Sequence, residues 1–273
     1  MISVIIPAHN EERFLGLCLQ ALLASDPVDV PVEIILVANG CNDATVAVAQ
    51  SFADQVTGRG WSYRVLDLAG GGKPGALNAG DDAARHPARV YLDADVTVAP
   101  GMLAALWAVL GRPEPSYASG RLSICAEGLV SRRYARFWAR LPFMAAGVPG
   151  CGIFAVNGAG RARWQAFPQI ISDDTYVRLH FRPGERQLVD ARYDWPIAEG
   201  FAALLKVRRR QDAGVAEIAR NYPALLANDD KGRLGLSGIL RLALADPMGF
   251  ATYGLVSVGS RLLPAPRSWS RGR

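Results

Sequence analysis

Val90-Tyr91-Leu92-Asp93-Ala94-Asp95 sets three apolar residues directly ahead of two carboxylates one residue apart. A short, wholly apolar run fits a strand covered on both faces, as strands of parallel sheets are. Similar runs lie upstream at residues 4–6, 34–37 and 63–66. Between and after them, helical periodicity predicts helices over 11–23, 43–52, 75–84 and 100–110, the second opened by an N-cap at Asn42 or Asp43. Strands alternating with helices at this spacing predict an α/β fold: a doubly wound, mostly parallel sheet with helices on both faces.

Further along, strands are predicted over 119–125 and 153–156, and helices over 129–144, 173–181 and 198–221. From Asp229 the chain turns Gly-, Leu- and Pro-rich. The organisation expected is one domain over 1–228 and a C-terminal extension over 229–273, partly helical, with a loose tail from Pro264.

The chain has 273 residues and a formal charge of +5, which suits phosphate-bearing ligands or an anionic surface and is too weak to argue for nucleic acid. Cys18, Cys41, Cys125 and Cys151 form no C-x-x-C pair and read as reduced thiols. Met1 runs straight into an apolar strand without a basic leader, and no apolar run approaches the roughly 18 residues that span a bilayer. The expectation is a cytoplasmic protein, peripheral at most to the inner face of a membrane.

In parallel α/β sheets ligands gather at the carboxyl ends of the strands. Here those ends carry Pro7-Ala8-His9-Asn10-Glu11-Glu12, Ala38-Asn39-Gly40-Cys41-Asn42-Asp43, Gly70-Gly71-Gly72-Lys73-Pro74-Gly75 and Asp93-Ala94-Asp95. Alternation along an extended segment aims Asp93 and Asp95 to one side, where a hard divalent cation such as Mg²⁺ or Mn²⁺ would relieve their repulsion and grip a diphosphate. Read alone, the pair is equally two exposed turn aspartates. The glycines around Lys73 let backbone N–H groups approach phosphate, although a surface turn has the same composition. Gly70, Gly72 and Gly75 also match G-x-G-x-x-G, with Asp95 20 residues beyond Gly75, so a NAD-dependent oxidoreductase is the alternative. That motif belongs after a first strand, and here it follows the third. In Ser172-Asp173-Asp174 one residue suffices to cap a helix, which leaves a second carboxylate able to act as a general base.

Taken in order and at these distances, S-V-I-I-P-A-H-N-E-E, V-A-N-G-C-N-D-A-T, G-K-P-G-A-L-N-A-G, Y-L-D-A-D and S-D-D resemble the family 2 glycosyltransferases of the GT-A fold. The resemblance covers residues 2–214. It implies a metal-dependent, inverting enzyme that moves one sugar from a nucleotide-diphospho-sugar, with a UDP-sugar as first expectation, to a hydroxyl of a saccharide or lipid-linked acceptor. Cell-surface polysaccharide, glycolipid and secondary-metabolite glycosylation are the settings it suggests. It implies nucleotide contacts at Pro7, Ala8 and Glu11, base reading at Asn39 in place of the usual acid, and Lys73 near the nucleotide. Asp93 would face ribose and metal, Asp95 would be the principal metal ligand, and Asp173 with Asp174 would form the catalytic acidic pair, Asp174 as base. The Q-x-x-R-W motif of processive members falls on residues 207–211, where only Arg210 survives, so single transfer is expected. Without its tryptophan, Trp195 is the candidate sugar platform. A non-catalytic module that binds nucleotide-sugars or glycans is the remaining alternative. His9, His86 and His180 read as surface or packing residues.

The predicted helix at 129–144 repeats Val130, Tyr134, Phe137 and Leu141 on one side and Arg132, Arg133, Arg136 and Arg140 on the other. It is expected either to pack on the core or to lie against an anionic membrane.

Overall fold

The computed structural model describes residues 1–232 and 234–262; the expected loose tail lies outside the described residues. The chain begins with β1 (Ile2–Ala8), α1 (Leu15–Leu23), β2 (Val32–Asn39), α2 (Thr45–Ser51), α3 (Ala53–Gly58), β3 (Ser62–Leu68), α4 (Gly72–Ala83), β4 (Ala88–Leu92), a two-residue β5 (Thr97–Val98) and α5 (Met102–Leu110). It continues with β6 (Tyr117–Cys125), α6 (Leu129–Trp138), α7 (Pro142–Ala146), β7 (Ile153–Val156), α8 (Gly158–Arg161), α9 (Asp173–Arg178) and β8 (Arg186–Pro196). Three helices end it: α10 (Phe201–Asn221), α11 (Leu236–Ala245) and α12 (Pro247–Leu262).

The strands form one sheet in the order β3-β2-β1-β4-β7-β6-β8-β5. The first four run parallel; β1, β2 and β4 are buried on both faces, while β3 at the edge exposes Ser62, Arg64 and Asp67. β7 is antiparallel to β4 and β6, β8 is parallel to β6, and β5 closes the edge antiparallel to β8. Alternate residues of β1 serve opposite faces: Val4 and Ile6 join the core with Leu15, Leu19 and Leu103, while Ile5 packs with Leu77 on the other side.

Four expectations need correction. The first helix starts at Leu15 rather than Glu11. The N–H groups of Glu11 and Glu12 donate to Thr45 Oγ1 (2.7 Å) and Asp43 Oδ2 (3.2 Å), and Asn10 adopts φ +55°, so the segment after β1 is tied to the turn between β2 and α2 instead. The helix expected over 129–144 is two, because Leu141 is held extended ahead of Pro142, which occupies the first turn of α7. The helix predicted over 173–181 stops at Arg178. β8 is an eleven-residue strand that the sequence reading left out. Its signal was present: Val189, Ala191 and Tyr193 are buried, alternating with exposed Asp190, Arg192 and Asp194.

The C-terminal segment packs on the domain. α12 turns Gly249, Val256 and Ser260 inward, and Tyr253 on the same face meets Tyr134 of α6 at 5.2 Å between ring centroids. Arg136 reaches Asp246 through two 2.8 Å hydrogen bonds, and Ser260 Oγ donates to Asp212 of α10 at 2.9 Å. Just before α11, Asp229 and Asp230 cover two buried arginines. Arg178 donates to Asp229 (2.8 Å) and Asp230 (2.6 Å), and Arg186 donates to Asp230 (2.7 Å). Among the described residues no helix is long and apolar enough to cross a membrane.

Candidate active site

The parallel strands β1, β2 and β4 deliver their carboxyl ends to one side, and α4 enters from β3 beside them. Gly71 at φ +135° and Gly72 at φ +68° make the turn into α4, a backbone path that side-chained residues rarely follow. Lys73 follows in the first turn of that helix. Its ammonium lies 2.8 Å from Asp93 Oδ1 at the end of β4 and 3.1 Å from Asp173 Oδ2 at the start of α9. Asp93 and Asp173, eighty positions apart in the sequence, are thus joined by one cation.

The electrostatics are mutually dependent. Burial works against the Lys73 charge, but Asp173 and Asp93 outweigh it and hold its pKa above the ordinary lysine value. Burial raises the Asp173 carboxyl to about 6, with Asp174 and Asp93 adding to the rise and Lys73 opposing it. Ser172 makes no side-chain cap and the Asp173 side chain turns to Lys73. Asp174 Oδ1 instead accepts from the Thr175 N–H at 2.6 Å. The turn that carries this pair is braced from α10, where Glu217 accepts the Ile171 N–H at 2.9 Å. Gly214 permits that approach: a Cβ there would sit 2.2 Å from Ser172 Oγ.

Two cavities share walls at this point. The smaller, of about 210 Å³, is lined by Pro7, Ala8, Glu11, Asn39, Lys73, Asp93, Asp95 and Arg210, all of them site candidates from the sequence. The larger, of about 620 Å³, is lined by Asp173 and Asp174 together with Leu141, Phe143, Met144 and Lys231. Lys73, Asp93, Trp138, Trp195, Arg208, Arg210 and Gln211 border both. Concave pockets with a few converging polar groups are where small ligands bind. Asn39 is buried, and its Oδ1 has no hydrogen-bond partner among the described residues.

Several wall residues escaped the sequence reading. His9, read as a surface or packing residue, lines the smaller cavity, and its Nδ1–H donates to the Asn39 carbonyl at 2.6 Å. Trp138 and Arg208 are new to the site. Arg208 is held by Asp212 at 2.9 Å and by the Tyr253 hydroxyl at 2.8 Å. Trp195, raised earlier as a substitute platform, leaves the end of β8 and meets Trp138 at 5.6 Å between ring centroids. Nothing in local spacing could have placed these groups, because their neighbours come from β2, β8, α6, α10 and α12. His180 instead packs on Tyr176 and Trp164, away from both cavities.

The sequence profile described as Glycosyl transferase family 2 matches residues 3–166, which include β1, the Lys73 turn and Asp93-Ala94-Asp95. The chain belongs to glycosyltransferase family 2. The glycine turn after β3 leads Lys73 into the first turn of α4. The 4,4'-diaponeurosporenoate glycosyltransferase of Staphylococcus aureus (strain MRSA252) is 28% identical over 195 residues, which are 69% of this chain and 48% of that protein. The uncharacterized glycosyltransferase EpsJ of Bacillus subtilis (strain 168) is 34% identical over 106 residues, covering 39% of this chain and 29% of that one. The chain spans about half the length, or less, of these curated relatives.

Among solved structures, the mannosyltransferase PcManGT from Pyrobaculum calidifontis, in complex with GDP-Man and Mn²⁺, superposes with a TM-score of 0.60 at 18% identity, covering 97% of this chain and 76% of that one. S. aureus TarS 1-349 in complex with UDP-GlcNAc gives 0.53 at 14% identity, covering 96% and 91%. At such identities the likeness is one of fold, and that fold is the GT-A type.

Proposed function

We propose that this family 2 glycosyltransferase moves a single sugar from a nucleotide-diphospho-sugar to an acceptor hydroxyl, with inversion at the anomeric carbon. The observation that carries the reading is the ammonium of Lys73 held between Asp93 and Asp173 where the two cavities meet. The smaller cavity is the donor site and the larger the acceptor site. In the donor site Pro7, Ala8 and Glu11 flank the nucleotide, and the unfilled Asn39 Oδ1 suits an N–H of the base. Uracil and guanine both offer one, and a UDP-sugar is the first choice of donor. Arg210 and Lys73 supply positive charge beside the diphosphate.

A divalent cation fits this donor set. Among the described residues no group of three or more His, Cys, Asp or Glu is arranged to hold a metal. A Mg²⁺ or Mn²⁺ that arrives with a diphosphate needs only one or two carboxylates, the rest of its shell being phosphate oxygens and water. Asp95, with Asp93 beside it, would hold the ion, which when bound neutralises charge on the departing nucleotide. PcManGT, of the same fold, binds GDP-Man with Mn²⁺. Calorimetric titration with UDP-sugars is expected to lose most of its heat in EDTA and to regain it with Mn²⁺. Equal affinity in both conditions would remove the metal from the scheme.

The chain's own groups then divide the work. Lys73 and Asp173 pin the turn that carries Asp174, and Asp174 accepts the proton of the acceptor hydroxyl as its oxygen attacks the anomeric carbon. Leu141, Phe143 and Met144 in the acceptor wall favour a lipid-linked or otherwise apolar acceptor over a free saccharide, in keeping with the diaponeurosporenoate named for the staphylococcal relatives.

Single transfer follows from the departures at Val207 and Gln211. Trp195 offers an aromatic face on which one sugar ring can stack, while Gln211 offers none where processive members hold a tryptophan. Product masses measured at large acceptor excess and at large donor excess are expected to show one added sugar in both. A ladder of longer products formed before the acceptor is consumed would overturn the single-transfer reading.

A further inference from the structure

Helices α11 and α12 present an apolar surface that the glycosyl-transfer site does not use. On α11, Leu236, Leu240 and Leu244 follow one another at helical spacing; on α12, Leu255, Val258 and Leu262 do the same. These six side chains are between 55% and 87% exposed. None of the ten residues of α11 is buried, so the helix is not held by a core. The buried face of α12 carries Gly249, Val256 and Ser260, so packing on α6 and α10 accounts for one side only. Exposed apolar helix faces of this kind mark an interaction site.

Its charges say with what. Between residues 236 and 262 the one acidic residue is Asp246, and it is buried and taken up by Arg136 and Arg140. The other charged residues of the segment, Arg241 and Arg261, are exposed. Within this segment the exposed charge is therefore positive only, beside apolar faces on both helices. Two copies of it would set like charges against each other, whereas a bilayer containing anionic lipid satisfies both features. The α6 helix singled out in the sequence has less to offer: Tyr134 and Phe137 are buried under α12, and Arg136 is engaged.

We infer that the outer face of α11 and α12 docks this protein onto an anionic lipid bilayer. Tyr253, on the inner face of α12, lines the larger cavity, so one helix carries both the docked surface and part of the proposed acceptor wall. The docking itself rests on exposure and charge and does not depend on which sugar or donor is used.

Co-sedimentation of the full chain with vesicles of phosphatidylcholine, with and without phosphatidylglycerol, tests it in the absence of donor. Binding is expected only with phosphatidylglycerol and is expected to weaken, without vanishing, as salt rises. The triple variant Leu240→Gln, Leu244→Gln, Leu255→Gln is expected to lose at least roughly tenfold in partitioning, as removal of several inserted side chains should. The double variant Arg241→Gln, Arg261→Gln should behave at low salt as the parent does at high salt. An unchanged melting temperature for both variants shows that the fold has survived. Absence of vesicle binding at low salt, or full binding by the triple variant, would overturn the inference. So would light scattering that shows a dimer of the parent chain and a monomer of the triple variant, since the face would then be a self-interface.

Discussion

Asp174→Asn is expected to bind the nucleotide-sugar donor as the parent does and to turn over roughly two or more orders of magnitude more slowly, the usual cost of losing a general base. The split follows from position. Asp174 lines the larger cavity and not the smaller, so an amide there leaves the donor walls intact. It is close in size to the carboxylate, and its oxygen can still accept the Thr175 N–H that fixes Asp174. Asp95→Asn, on the donor wall, is expected to lose affinity and turnover together. Donor titration and initial rates on the two variants separate the roles. Parental turnover by Asp174→Asn would show that the base lies elsewhere.

The second large effect is on stability. Asp230→Ala is expected to destabilise the fold by about 3 kcal/mol, the scale for breaking a buried ion pair from one side. The Arg178 and Arg186 side chains are each 1% exposed, and Asp230 serves both. Asp229 remains with Arg178 but gives nothing to Arg186, whose other hydrogen bonds go to the carbonyls of Arg178, Phe181 and Asn228. Two guanidiniums would then face each other with one carboxylate, at the end of the helix that begins with Asp173 and Asp174. Thermal unfolding should shift down by roughly 5 °C for a chain of this size. Asp229→Ala should cost less, since Asp229 serves Arg178 alone. Equal melting temperatures for Asp230→Ala and the parent would mean that water replaces the carboxylate without penalty.

Much of the donor side was legible because a parallel sheet places successive strand ends together. Once β1, β2 and β4 are recognised, Pro7, Ala8, Asn39, Asp93 and Asp95 must lie near one another, and the turn after β3 brings Lys73. The acceptor side was less so. Asp173 and Asp174 could be named, but not the contact of Asp173 with Lys73, which joins the start of α9 to the first turn of α4. Trp138, Arg208 and Lys231 come from segments whose local patterns describe ordinary helices and turns. β8 was missed although its alternation is regular, because charged residues on its outer face obscured it. The basic helix was read as continuous across Pro142, with its apolar stripe either packing on the core or meeting lipid. In the fold Tyr134 and Phe137 of that stripe are covered by α12, a helix whose own amphipathic pattern the Gly- and Leu-rich composition concealed.

The tryptophan pair gives the molecule a reporter of its own. Indole emission shifts with the polarity around the ring, and Trp138 and Trp195 both border the two cavities and sit within a few ångströms of each other. Trp164 packs in the core with Phe167 and contributes a steadier background. Filling either cavity changes the surroundings of the pair directly. Intrinsic fluorescence can therefore follow ligand arrival in real time without a label, and Trp195→Phe, with Trp138→Phe as its counterpart, would assign the signal to one ring or the other.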